Sequence, residues 1–91
     1  MPAVREAVLK LVTHTLSLRQ EQALVSWAED VQYGVTDGQG LALKDSKLLK
    51  HVNAGEFQLA AAEFPRWCLV GGKIDPAALT RRINESRMFR R

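Results

Sequence analysis

The sequence predicts an all-α fold, a compact bundle of about five helices, and three observations carry that prediction. Apolar residues recur at three- and four-residue steps along most of the chain. Helix-starting residues stand at Ser17, at Asp45-Ser46 and at Asp75-Pro76, and glycines stand where the helices should end. A length of 91 residues, 46% hydrophobic and 25% charged, suits one small domain, since a second would need roughly 100 more.

Val4, Ala7, Val8, Leu11 and Val12 share one face of a first helix. Ser17, followed three residues later by Gln20, gives a capping box for a second. Leu24, Trp27, Ala28 and Val31 form its apolar face, and Gly34 ends it. Residues 34–43, GVTDGQGLAL, are glycine-dense and read as a loop, because glycine loses the most backbone entropy on ordering. Asp37-Gly38 points to a tight turn or small hairpin within it, the one place where strands are expected. The loop lacks the regular oxygen ligands and closing Glu of a calcium site.

Asp45 or Ser46 caps a short third helix that runs through Val52 and stops at Asn53-Ala54-Gly55. Glu56 opens a fourth, with Phe57, Ala60, Ala61, Phe64 and Trp67-Cys68 on one face. Pro65 falls inside that helix and should kink or shorten it, because proline lacks the backbone donor. Gly71-Gly72 breaks the chain, and Asp75-Pro76 starts the last helix as an N-cap with a first-turn proline. That helix is expected to bury Leu79, Ile83 and Phe89 and to leave its arginines on the other sides.

Charge is uneven along the chain. Lys and Arg number 13 against 10 Asp and Glu, a formal net of +3. Residues 81–91 hold Arg81, Arg82, Arg87, Arg90 and Arg91 against Glu85, a net of +4, which leaves the first 80 residues at −1. The protein is thus a near-neutral body with a basic last helix. Ordinary hydrophobicity and low net charge exclude a disordered chain, and no apolar run reaches the ~18 residues of a membrane span. Met1–Leu16 carries Arg5, Glu6 and Lys10 in its apolar pattern and so lacks a signal-peptide core, which makes the cytoplasm the expected location. Cys68 stands alone, and His14 and His51 fall on different segments, so neither a metal site nor a cofactor is expected. Trp27 and Trp67 fall on apolar stripes and read as core, whereas Tyr33, beside the glycine loop, reads as an exposed contact.

Several ordered segments carry a resemblance. Gln22-Ala23-Leu24-Val25-Ser26-Trp27, the run Leu48 to Phe57 and Ala60-Ala61-Ala62-Glu63-Phe64-Pro65-Arg66-Trp67 come in sequence. Gly71-Gly72-Lys73, Pro76, Arg81-Arg82, Glu85 and Phe89 complete the series. Residues 22–89 thereby resemble the C-terminal lobe of phage-type lysozymes, the endolysins among the glycoside hydrolases. The resemblance implies a helical lobe over 17–91, with 1–16 as a linker-like helix. It also exposes departures. Where the family reads Phe-Asn-Val-Gly, this chain has Glu29-Asp30-Val31-Gln32, and the family's three-arginine run is reduced to Thr80-Arg81-Arg82.

The family's catalytic Glu lies in a preceding segment that has no counterpart here. Glycoside hydrolysis needs an acid and a second group across the substrate, and adjacent Glu29 and Asp30 diverge by about 100° on a helix. These departures imply a chain that is not an enzyme. The expectation is a phage- or prophage-encoded lysozyme-like binder in the host cytoplasm, acting as an inhibitor of a host protein or defence complex. Glu29, Asp30, Tyr33, Asp37, Arg81, Arg82 and Arg87 are its candidate partner-binding residues, because opposite-sign patches steer partners. A second copy on the face bared by the missing lobe is another expected partner. The alternative is a peptidoglycan-degrading endolysin fragment or subunit that needs a separate catalytic lobe. A third reading, nucleic-acid binding through the basic end, has only the arginines in its favour.

Overall fold

The computed structural model describes residues 2–38 and 43–90. Helix α1 spans Pro2–Lys10, α2 Leu18–Gln32, α3 Lys47–Asn53, α4 Phe57–Glu63 and α5 Pro76–Arg90. Short 3₁₀ turns at Leu43–Asp45 and Phe64–Arg66 precede α3 and follow α4. A two-stranded antiparallel hairpin, β1 Leu69–Val70 and β2 Lys73–Ile74, lies before α5. The fold is mostly helical, as the periodicity predicts.

Local chemistry explains the boundaries. Ser17 accepts from Gln20 N–H while the Gln20 side chain accepts from Ser17 N–H, closing the capping box of α2. Ser46, rather than Asp45, caps α3, its Oγ accepting from Leu49 N–H at 3.2 Å. Asp75 caps α5 through a 2.9 Å bond from Ala78 N–H. Pro65 ends α4 instead of kinking it, and the chain passes into the 3₁₀ turn.

The described hairpin lies at Gly71-Gly72, which the sequence reads only as a chain break. Gly71 and Gly72, at φ +60° and +80°, form its two-residue turn, because such a turn needs left-handed backbone at both central positions. Residues 39–42 of the glycine loop lie outside the described residues. Its described start does join the hairpin: Thr36 and Leu69 exchange backbone bonds of 2.8 and 3.0 Å.

α2 packs against α5 and α1, while α4 packs against α3 and α5. Val8, Leu24, Trp27, Leu48, Val52, Ala60, Phe64 and Phe89 are fully buried between them. Through this core runs a ladder of ring contacts: Trp67–Trp27 at 5.2 Å, Trp27–Phe64 at 6.4 Å, Phe64–Phe89 at 5.5 Å and Phe89–Phe57 at 5.4 Å. Most are edge-to-face, the arrangement that the ring quadrupole favours.

α5 buries Phe89 and half-buries Leu79, in line with expectation, but departs from it at Ile83 and Arg82. Ile83 is 39% exposed, whereas Ala78, Arg82, Glu85, Ser86 and Phe89 are the buried residues. The inward stripe of this helix is half polar, which is why apolar periodicity misplaced it.

Candidate functional site

Two polar features stand out, one inside the bundle and one on its surface. The inner one joins α2 to α5. Arg82 is fully buried, and its Nε and Nη2 each donate to Glu85 at 2.5 Å. Nη2 also donates to Asp30 at 2.8 Å, and Arg81 Nε reaches the same carboxylate oxygen at 2.6 Å. Ser26 donates its hydroxyl hydrogen to Glu85. Two guanidinium groups thus face two carboxylates, and the cluster is neutral when all four are ionised. Burial pushes the Glu85 carboxyl above its ordinary range, against the opposing pull of its bonds from Arg82 and Ser26. The hydrogen bond to Asp30 holds Arg81 protonated more firmly than usual.

The outer feature is an open groove of about 310 Å³ lined by Asp37, Lys47, Glu63, Arg66, Cys68, Leu69 and Ile74. Each wall has a local cause. Lys47 is the first residue of α3, fixed by the Ser46 cap. Glu63 ends α4 and pairs with Arg66 at 3.5 Å across the turn that Pro65 starts. The Thr36–Leu69 bridge brings Asp37 alongside the hairpin, which contributes Leu69 and Ile74. The result is an apolar floor with charges of both signs around it, suited to a ligand that carries both ammonium and carboxylate groups.

The seven sequence-predicted residues do not form one surface. Asp30, Arg81 and Arg82 meet in the inner cluster, where Arg82 has no surface to offer and Asp30 is half-buried. Asp37 lies in the groove. Tyr33 is 77% exposed at the end of α2, Glu29 is half-buried, and Arg87 is exposed on α5. Among the described residues, no side-chain hydrogen bond or ion pair joins these three to the cluster. Arg81 and Arg87, six residues apart, point about 120° apart around the helix, so the arginines make no single basic face.

Sequence reasoning did not assign Ser26 and Glu85 to the cluster, or Lys47, Glu63 and Arg66 to the groove. The three-residue spacing of Arg82 and Glu85 was the available signal for the first; nothing local signals the groove, which needs α3, α4 and the hairpin together. Among the described residues, no group of three or more His, Cys, Asp or Glu is placed to hold a metal ion. Among them, too, no helix is long and apolar enough to cross a membrane.

A helical lobe presenting a charged groove, stitched internally by an arginine–carboxylate cluster, is the class of protein defined here. The chain belongs to the phage lysozyme family, whose family model matches residues 1–85. It is 38% identical over 84 residues to the endolysin of Bacillus phage PZA, covering 92% of this chain and 30% of that protein. It is 40% identical over 84 residues to the endolysin of Bacillus phage B103, covering 92% of this chain and 29% of that one. The chain therefore spans about 30% of the length of these curated relatives. The expectation of a chain that is not an enzyme is corrected here, because both relatives bear the name of a lytic enzyme. The departures at Glu29-Asp30 and Thr80 do not place it outside the family.

Proposed function

We propose that the chain is the substrate-holding part of a peptidoglycan-degrading endolysin, with the groove between α3, the end of α4 and the hairpin facing the cell wall. The observation that carries this reading is the likeness to two endolysins over 92% of the chain. The groove chemistry agrees with it. Peptidoglycan stems carry free carboxylates and amines, and Lys47 and Arg66 stand opposite in sign to Asp37 and Glu63. Hydrolysis of the glycan needs an acid and a second group on the far side of the bond. In this reading a facing segment supplies them across the bound strand.

Purified peptidoglycan sacculi provide the test. The chain should sediment with them, and the doubly substituted Lys47→Glu, Arg66→Glu variant should stay in solution. An endolysin carrying the same two substitutions should clear sacculi with a raised KM. If the unsubstituted chain fails to sediment and the substituted endolysin clears normally, the reading is wrong.

A further inference from the structure

A second constellation lies at the other end of α3 and belongs to neither polar feature. Asn53, the last residue of α3, reaches the segment between α1 and α2 with both ends of its amide. Its Oδ1 accepts from Thr13 N–H at 2.8 Å, and its Nδ2 donates to the Leu11 carbonyl at 2.9 Å. These contacts span 40 and 42 residues of sequence. Two residues on, Gly55 at φ +76° leaves room for His14, whose Nε2 would lie 3.1 Å from any added Cβ. His14 in turn packs edge-on against Phe57 at 5.1 Å, and its Nδ1 lies 2.9 Å from the Thr15 carbonyl. The chain leaving α1 is thus held from α3, from the turn after it and from α4.

We propose that Asn53 is a positioning residue that fixes the direction of α1 relative to the groove. α3 is the strut: Lys47 at its first residue lines the groove and Asn53 at its last grips the α1 exit, about 9 Å apart along the axis. The outer surface of α1 carries an open hollow of about 440 Å³ beside Arg5, Glu6, Leu9 and Lys10. Leu9 also borders a second hollow of about 280 Å³ that reaches His14 and Glu21. Val8 packs α1 onto the core, and the Asn53 amide fixes the chain where it leaves that helix, so together they set the register of α1 to the groove. The two bonds are directional and both end on backbone, so they fix orientation rather than mere proximity. This inference rests on the reading of the groove as the substrate-facing surface, but its geometry is testable without substrate.

Residual dipolar couplings of backbone amides, measured on the 91-residue chain, read the orientation directly. In the unsubstituted protein the couplings of α1 and of α2–α5 should fit one alignment tensor. In Asn53→Ala the α1 couplings should shrink and leave that fit, while those of α2–α5 persist. Exchange of the Thr13 amide should rise about tenfold. Asn53→Asp keeps the acceptor for Thr13 but sets an oxygen against the Leu11 carbonyl. It should therefore free α1 partly, and it serves where the alanine variant does not fold. Couplings of α1 that stay on the common tensor in both folded variants overturn the proposal, whatever happens to sacculus binding. Loosened α1 couplings support the positioning role even where the chain never sediments with sacculi and the substituted endolysin clears normally, the outcome that overturns the functional reading instead.

Discussion

Arg82 and Glu85 stand one turn apart on α5 and both point into the protein, joined by two bonds of 2.5 Å at 0% and 3% exposure. Burying either charge alone would cost several kcal/mol. The pair is tolerated because Asp30 and Ser26 reach in from α2 and add bonds to its guanidinium and carboxylate, although Arg82 Nη1 has no hydrogen-bond partner among the described residues. The polar cluster therefore carries orientation as well as energy. It specifies which face of α5 meets α2, a choice that the sparse apolar residues of α5 leave open.

Arg82→Ala should destabilise the fold by about 3–5 kcal/mol, since it leaves the buried Glu85 carboxylate with Ser26 as its remaining partner, while Asp30 keeps Arg81. Arg82→Lys should not restore the loss, because an ammonium cannot make the two-pronged contact with Glu85 and still reach Asp30. Urea unfolding monitored by the near-ultraviolet signal of Trp27 and Trp67 measures both variants. A loss below about 1 kcal/mol in Arg82→Ala would mean that the cluster contributes no more than a surface pair.

Glu85 gives the stability a pH dependence of unusual sign. Its carboxyl titrates above its unfolded value, chiefly through burial. Protonation therefore favours the folded state, and this group's contribution is fully present below the unfolded value of 4.5. It is lost as pH rises through the higher folded value. Glu85→Gln removes that contribution. The unfolding free energy of the unsubstituted protein, taken relative to Glu85→Gln, should therefore grow as pH falls from 7 toward 4.5. Chemical denaturation of both proteins across that range tests it, and a difference that shrinks on acidification would show that the bonds from Arg82 and Ser26 outweigh burial.

The polar cluster also marks where the sequence stops being readable. Caps and stops were legible at Ser17, Asn53-Ala54-Gly55 and Asp75-Pro76 because each rests on bonds within a few residues. Leu24, Trp27 and Ala28 were legible as core because α2 follows a 3.6-residue apolar period. α5 was not, because periodicity counts Arg82 and Glu85 as outward and Ile83 as inward, and the partners that reverse this lie 52 and 59 residues away. Asp37-Gly38 and Gly71-Gly72 both satisfy turn chemistry, so local sequence does not say which pair closes a hairpin. Only pairing of Leu69 with Ile74 distinguishes them. The groove combines residues from 37 to 74, so no window of sequence contains it.

Phe64 sits at the middle of the ring ladder, touching Trp27 and Phe89. Phe64→Ala should cost about 3–5 kcal/mol, the range for a large aromatic removed from a packed core. Phe64→Leu, which keeps most of the volume, should cost clearly less. Thermal unfolding followed by circular dichroism ranks the two, and equal losses would show that ring geometry rather than filled volume dominates at this site.

Lys47 and Arg87 separate a local charge from a general one. Both are exposed cations, but Lys47 lines the groove and Arg87 lies on α5 outside it. If charge alone drew the chain to the anionic cell wall, Lys47→Glu and Arg87→Glu would weaken sacculus binding equally, since both change net charge by the same amount. If the groove holds the stem, Lys47→Glu should weaken binding roughly two- to fivefold, the effect of one exposed pair, and Arg87→Glu should leave it nearly unchanged. Salt adds a second axis: exposed pairs are screened within about 10 Å at 0.1 M, so raising salt should narrow the gap between Lys47→Glu and the unsubstituted chain. Quantitative co-sedimentation at two salt concentrations reads both differences, and matching losses in the two variants would move the binding surface away from the groove.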